Sequence, residues 1–113
     1  MVAEGIDLSI KDELDDLFTN QGKNIEKAVR TLKLFAHRDR LKILCLLSPG
    51  REFTVQSLEK YTGIRQTTLS QHLSLLKDRG LVTSRREGNF SIYKVASDDI
   101  VEFFELIKRV YCR

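Results

Sequence analysis

The 113-residue sequence predicts a mainly α-helical fold with one small β-hairpin. Apolar residues recur at helical spacing through most of the chain, and two of the helical segments are joined by a single glycine. A later stretch rich in valine, threonine, isoleucine and tyrosine is interrupted by Gly88 and Asn89, which is typical of a two-stranded hairpin. A chain of this length has room for one core of ordinary size, so we expect one domain.

The first third of the chain predicts helical structure with one interruption. Ser9 is a suitable N-cap for a helix whose apolar stripe reaches Phe18. Polar residues and a glycine at positions 20–24 break the pattern, and a second apolar stripe follows over residues 25–36. One bent helix and two separate helices are both compatible with this break.

A short central helix is predicted over residues 41–47, where almost every side chain is apolar. Pro49 and Gly50 follow it and form a strong stop. Because apolar side chains surround this helix, we expect it to lie at the centre of the core.

Two further helices are predicted on either side of a glycine. Thr54 is a suitable N-cap for the first of them, which Gly63 ends. The second is predicted over residues 65–79 and is ended by Gly80. Two helices separated by a tight glycine turn indicate a helix-turn-helix unit.

The hairpin and a last helix complete the chain. Strands are predicted over residues 81–87 and 90–95, which are rich in residues that favour extended backbone. Ser97 is then a suitable N-cap for a final amphipathic helix. Acidic residues follow this cap and basic residues end the helix, as the helix dipole favours at both ends.

Composition excludes several classes of protein. The chain is 42% hydrophobic and 31% charged, with one proline and six glycines, which excludes a disordered or fibrous chain. Its longest apolar stretch, residues 43–47, is far shorter than the ~20 residues that span a bilayer. The acidic N-terminal residues lack the charged and apolar regions of a secretion signal, so we expect a cytoplasmic protein with reduced cysteines.

Positive charge is concentrated in the middle of the sequence. Residues 1–20 carry six acids against one base, a net charge of −5, whereas residues 21–50 carry seven bases against two acids, a net charge of +5. Residues 51–94 add eight bases against four acids, a further +4. This distribution favours an anionic partner such as nucleic acid, although scattered solvated charges give the same totals.

The helix over residues 65–79 has one face suited to reading DNA. Leu69, Leu73 and Leu76 form its buried line. The opposite face is mostly uncharged but rich in hydrogen-bonding groups, which suits base edges in a major groove, whereas an ordinary solvated helix usually carries Glu and Lys pairs. The residues predicted to bind DNA on this face are Gln66, Thr67, Ser70, Gln71, Ser74 and Lys77.

Polar residues around the hairpin tip extend this candidate DNA-binding surface. Arg85 and Arg86 precede the tip, Asn89 lies at the tip, and Lys94 lies beyond it. Beside a helix-turn-helix unit, such a β-ribbon can reach phosphates or the minor groove, so the combination predicts a winged helix. Arginines on an exposed strand also serve solubility or protect a sheet edge, and by themselves they are weak evidence.

Several stretches of the chain resemble the ArsR-type bacterial repressors. The resemblance covers about residues 25–112 and implies a dimeric winged helix whose first and last helices form the interface. The matching segments are AHRDRLKIL at 36–44, LSQHL at 69–73, LKDRGLV at 76–82, and REG at 86–88 followed by Tyr93.

The resemblance assigns roles to parts of the chain. It implies that residues 25–113 form the DNA-binding and dimerisation domain, and that the acidic residues 1–24 lead into the first helix or form part of it. His72 is implied to lie near the DNA backbone, although such a histidine taken alone is more often half-buried, and His37 is expected to be structural. The family often has serine where this chain has Arg65, which is a poor N-cap.

Many members of that family sense metals, but this sequence does not predict a metal site. Val55, Gln56 and Ser57 occupy the positions where thiolate-type sensors carry cysteines, and the final helix contains no histidine. Two histidines in different segments and two separated cysteines make no recognisable zinc set. We therefore expect no metal and no other cofactor.

The placement of the two cysteines resembles the BigR, SqrR and HlyU branch of the family, which responds to reactive sulfur species. Cys45 lies in the central helix, and Cys112 lies at the end of the last helix. The resemblance implies a homodimeric repressor that binds a pseudo-palindromic operator when reduced. A low-molecular-weight persulfide or polysulfide would link the two cysteines and release the DNA, because a polysulfide bridge spans a wider gap than a disulfide. Without the resemblance, the sequence favours the simpler interpretation of Cys45 as a small buried hydrophobe and Cys112 as an incidental tail residue.

Three alternatives stay open. The same DNA-binding module could respond to general oxidants through a simple disulfide, or could carry cysteines without a regulatory role. A winged helix used only for protein contacts would show a flat dependence of DNA binding on salt. A small thiol enzyme is disfavoured, because the sequence has no CxxC pair, no Gly-rich phosphate loop and no Ser, His, Asp order.

Overall fold

The computed structural model describes residues 7–18 and 23–112, which form six helices and three strands. The chain divides into two compact units, one up to Phe35 and one from Ala36 onward. The elements are α1 (Leu8–Phe18), α2 (Lys23–Phe35), α3 (Arg38–Leu47), β1 (Phe53–Thr54), α4 (Val55–Thr62), α5 (Gln66–Asp78), β2 (Val82–Glu87), β3 (Phe90–Val95) and α6 (Asp98–Tyr111).

The first unit contains α1 and α2 as two separate helices, which decides between the two arrangements that the sequence allowed. Helix α1 begins at Leu8, close to the predicted start near Ser9, but the cap is Asp7, whose Oδ1 accepts the Ser9 backbone N–H at 2.8 Å. This hydrogen bond also holds the pKa of Asp7 below its ordinary value. The Asn24 side chain donates to the backbone carbonyl of Asp16 at 2.9 Å and joins the two helices.

The second unit contains the core, and α3 lies at its centre as predicted. Ile43, Leu44 and Leu47 of α3 are fully buried, whereas Cys45 and Leu46 are half-buried. Burial therefore does not extend around the whole helix, although every side chain in its second half, residues 43–47, is apolar. The other buried apolar residues are Leu58, Ile64, Leu69, Leu73, Leu76, Leu81, Val82, Val95 and Phe104.

Helices α4 and α5 form the predicted helix-turn-helix unit. The Thr54 hydroxyl accepts the Ser57 backbone N–H at 3.1 Å at the start of α4, and Gly63 ends that helix with a left-handed φ of 74°. Helix α5 begins after Arg65, whose side chain makes no capping hydrogen bond, as expected for arginine. Glu59 of α4 instead accepts the Gln66 backbone N–H at 3.2 Å.

The predicted hairpin is present, and it is part of a larger sheet. Strands β2 and β3 pair antiparallel from Val82 opposite Val95 to Glu87 opposite Phe90. The sequence did not predict β1, which pairs with the other edge of β3 and gives the order β1-β3-β2. This strand has only two residues, too few for an alternating pattern to be recognised.

Helix α6 follows the sheet and begins at the predicted cap. The Ser97 hydroxyl accepts the Ile100 backbone N–H at 3.4 Å, and Phe104 is the side chain that α6 buries completely. In the part of the chain that the structure describes, no helix combines the length and the apolar character that crossing a membrane requires.

Candidate DNA interface and dithiol site

Helix α5 presents a polar, solvent-facing surface, which we call the recognition face. Leu69, Leu73 and Leu76 are fully buried beneath it, as their spacing predicted. Within residues 7–18 and 23–112, the side chains of Gln66, Thr67, Ser70, Gln71 and Ser74 make no hydrogen bond. Their donors and acceptors are therefore available to a ligand. The recognition face consists of Gln66, Thr67, Ser70, Gln71, Ser74 and Lys77, and all six are exposed.

A side-chain hydrogen bond joins the recognition face to the hairpin. The Lys77 ammonium donates to the Ser84 hydroxyl of β2 at 2.7 Å. Neighbouring residues of a strand point to opposite faces, so Arg86 lies on the same side of the sheet as Ser84. The register places Arg85 and Lys94 together on the other side. Asn89 is exposed at the tip of the hairpin.

Arg85 is held by two carboxylates. Its Nη1 and Nη2 donate to the two oxygens of Glu52 at 2.7 and 3.0 Å, and its Nε and Nη2 donate to Oε2 of Glu87 at 3.1 and 2.8 Å. These bonds raise the pKa of Arg85 and lower that of Glu52. Arg86 makes only a long contact to the Ser91 hydroxyl, at 3.5 Å, among the described residues. The two neighbouring arginines therefore differ in how readily they can meet a phosphate.

His72 of α5 lies apart from the recognition face. Its Nδ1 accepts from Nε of Arg40 at 3.3 Å, and its Nε2 lies 3.8 Å from Oδ2 of Asp39. Burial lowers the pKa of His72, and the charges of His37 and Arg40 lower it further, whereas Asp39 opposes the shift. His72 is therefore a half-buried, neutral link between α5 and the start of α3.

The structure brings together the two histidines that the sequence placed in different segments. Their ring centroids lie 4.7 Å apart, and ligand atoms of His37, Asp39 and His72 lie within 4.8 Å of one another. His37 is structural, as expected, because its Nδ1 accepts the Asp39 backbone N–H at 3.1 Å and caps α3. A metal ion on Nε2 of His72 would need the ring proton on Nδ1, where Arg40 donates. We interpret the group as a hydrogen-bonded network that joins α3 and α5.

Cys45 and Cys112 are free thiols that line one cavity of about 390 Å³, together with Arg38, Leu41 and Lys42. Cys45 is half-buried on α3, and Cys112 is exposed at the C-terminal end of α6. Burial raises the pKa of Cys45, and the charge of Cys112 raises it further. The fold therefore brings two thiols that are far apart in sequence to one cavity.

Lys42 and Lys108 lie beside the thiols, which the sequence did not predict. Both line a second cavity beside Cys45, and Lys108 lowers the Cys45 pKa against the larger effect of burial. Lys42 precedes Cys45 by three residues, and Lys108 precedes Cys112 by four. Residues at these spacings share a helix face, so this signal could have identified both lysines.

Comparison with known proteins supports one family. Residues 37–84 match the model described as bacterial regulatory protein, arsR family. The transcriptional activator HlyU of Vibrio cholerae is 40% identical over 91 residues, which are 80% of this chain and 83% of that protein. The biofilm growth-associated repressor of Agrobacterium fabrum is 41% identical over 81 residues, which are 72% of this chain and 68% of that protein.

Solved structures agree with the sequence comparisons. Reduced HlyU from Vibrio cholerae superposes with a TM-score of 0.75 over 80% of this chain and 95% of that structure, at 40% identity. A homodimeric winged helix-turn-helix DNA-binding domain from Mycobacterium bovis gives 0.71 over 81% of this chain and 84% of that structure, at 36% identity. These relatives are regulatory proteins. With its helix-turn-helix unit, its hairpin and this similarity, the chain belongs to the ArsR family of bacterial transcriptional regulators.

Proposed function

We propose that the protein is a homodimeric repressor that binds a pseudo-palindromic operator while both thiols are reduced, and that releases it when a persulfide or polysulfide links Cys45 to Cys112. One observation carries the proposal: the two cysteines, which come from different helices, line a single cavity. A covalent link between α3 and α6 would bias the arrangement of the dimer and so its fit to DNA.

Exposed apolar side chains support dimerisation through α2 and α6, which are the first and last helices of the region that resembles the family. Val29 and Leu32 of α2 are 38% and 52% exposed, and Leu106, Val110 and Tyr111 of α6 are 44%, 50% and 78% exposed. Apolar side chains on an amphipathic helix gain free energy when a second subunit covers them. A two-fold dimer would place two recognition helices on two half-sites, which makes the operator a palindrome.

The residues predicted to bind DNA divide into two groups in the proposed complex. Gln66, Thr67, Ser70 and Gln71 carry base preference, because glutamine can pair with adenine and a threonine methyl can contact thymine. Arg86 and Lys94 mainly carry affinity through phosphates, and Arg85 must first leave its carboxylates to do so. The remaining members of the second group are Ser74, Lys77 and Asn89. His72 acts indirectly, because its two ring nitrogens face Arg40 and Asp39.

The proposed sulfur chemistry needs no oxidant other than the persulfide. The thiolate of Cys45 attacks the outer sulfur of R–S–SH, the S–S bond breaks, and R–S⁻ leaves with its electron pair. Cys112 reacts with a second persulfide in the same way. One protein persulfide then attacks the other, a trisulfide bridge forms, and hydrogen sulfide leaves. The added sulfur lengthens the bridge beyond the reach of a disulfide.

An operator-release assay tests the proposal. The probe is a DNA site selected by the reduced protein from a random-sequence pool. Persulfide treatment should weaken binding by wild-type protein, and a thiol reductant should restore it. Cys45→Ser and Cys112→Ser should each bind DNA as wild type does but no longer respond. A double variant that still responds would contradict the proposal, and release by peroxide through a simple disulfide would favour a general oxidant switch.

A further inference from the structure

The cavity of about 540 Å³ beside Cys45, which we call the cationic cavity, carries three basic side chains. Lys42 of α3, Lys108 of α6 and Arg51, which precedes β1, all line it. The aromatic ring of Tyr61 also lines it, and 63% of this residue is exposed. Three separate parts of the second unit therefore bring basic side chains to one thiol.

Two of these three cations have no carboxylate partner. Lys108 pairs with Glu105 and also donates to the Ser48 backbone carbonyl at 3.0 Å. Lys42 and Arg51 form no ion pair within the described residues. Positive charge on a concave surface attracts anions more strongly than the same charge on an open surface does. The cationic cavity therefore has excess positive charge directed at the space beside Cys45.

This charge matters because Cys45 lacks the lowered pKa that activates a reactive thiol. Burial raises that pKa more than Lys108 lowers it, so only a small fraction of the thiol is ionised near neutral pH. A reagent that docks beside the thiol gains reactivity from its high local concentration and its orientation. Docking is thus a second way to select which sulfur compounds react.

We infer that the cationic cavity is an anion subsite that holds a carboxylate of the sulfur donor, so that Cys45 reacts faster with anionic persulfides than with uncharged ones. The inference rests on the proposed reaction of Cys45 with persulfides and specifies the class of donor. Lys42 and Arg51 bind the carboxylate, and the sulfur of the donor reaches Cys45.

The test compares two alkylating reagents that differ in charge, and it needs no persulfide. In a Cys112→Ser background, the Cys45 thiolate displaces iodide from iodoacetate, which is anionic, or from iodoacetamide, which is neutral. The measured quantity is the ratio of the two rate constants, iodoacetate over iodoacetamide. We expect this ratio to exceed that of a small free thiol by roughly threefold or more, and to fall as salt is added.

Arg51→Gln and Lys42→Gln should each lower the ratio toward that of the free thiol. Arg79→Gln removes the same charge from an exposed residue that does not line the cavity, so it should leave the ratio unchanged. A folding defect would itself bring the ratio toward that of the free thiol, so each variant must first show the same thermal unfolding as the Cys112→Ser protein. An equal ratio in wild type, Arg51→Gln and Lys42→Gln would overturn the inference. Failure of persulfides to modify Cys45 would overturn the proposed function and leave this measurement intact.

Discussion

At the scale of single residues, the partners of a charged side chain decide its role more than its position does. Arg85 and Arg86 are neighbours in β2. Arg85 is bound by Glu52 and Glu87. Arg86 lies on the opposite side of the sheet, where Ser84 contacts Lys77 of α5. The sequence predicted both as DNA ligands. It could not separate them, because Glu52 lies 33 positions from Arg85 and their contact depends on the sheet.

The two arginines should therefore differ in the salt dependence of DNA binding. We expect Arg86→Ala to lower the slope of log affinity against log salt by about one unit, because one phosphate contact is lost. Arg85→Ala should lower the slope by less, because its charge is already compensated by carboxylates. The measurement is a titration of operator DNA at several salt concentrations. A larger loss for Arg85→Ala would contradict this assignment.

His72 should make the stability of the fold depend on pH. Its pKa lies below the ordinary value of 6.5 in the folded protein, because of burial and the charges of His37 and Arg40. The unfolded chain then binds more protons than the folded chain, so stability is retained above 6.5 and is lost as pH falls below it.

We expect His72→Gln to lose less stability than wild type between about pH 7.5 and about pH 5.5, in urea unfolding at each pH. His37→Gln tests the neighbouring ring, whose main role is to cap α3. This variant should be less stable at both pH values. Identical pH profiles for wild type and His72→Gln would show that His72 does not titrate as the contacts require.

At the scale of elements, the sequence predicted the features that depend on neighbouring residues. It did not predict those that depend on contacts between distant parts of the chain. Thr54, Gly63 and Ser97 were recognised as helix boundaries because capping involves residues two to four positions away. Strand β1 could not be recognised, since its two residues are extended only through pairing with β3, about 40 positions later. The group around His37 and His72 was missed for the same reason.

The start of α5 depends on a side chain from the preceding helix. Glu59→Ala removes the acceptor for the Gln66 backbone N–H, and Arg65 offers no replacement. We expect a loss of about 1 kcal/mol in the free energy of unfolding, measured by chemical denaturation. Arg65→Ser in the Glu59→Ala background supplies a hydroxyl cap and should recover part of that loss. A Glu59→Ala variant as stable as wild type would contradict this capping role.

At the scale of the whole molecule, the second unit places the recognition face and a pair of thiols on one core. The recognition face lies on α5, while the thiols lie on α3 and α6, and the residues around His72 connect α5 to the start of α3. The proximity of Cys45 and Cys112 could not be derived from their spacing. It was expected only from the resemblance to a family, and the folded chain gives it a physical basis in one shared cavity.

The proposed function depends on a persulfide that links Cys45 to Cys112. The most direct measurement is the intact mass of the fully reduced protein after treatment with a low-molecular-weight persulfide, and separately after peroxide, followed by mapping of linked peptides. We expect persulfide to join the two cysteine peptides with at least one added sulfur atom, and peroxide not to produce this link. A simple disulfide with either reagent, or two unmodified thiols after persulfide, would contradict it.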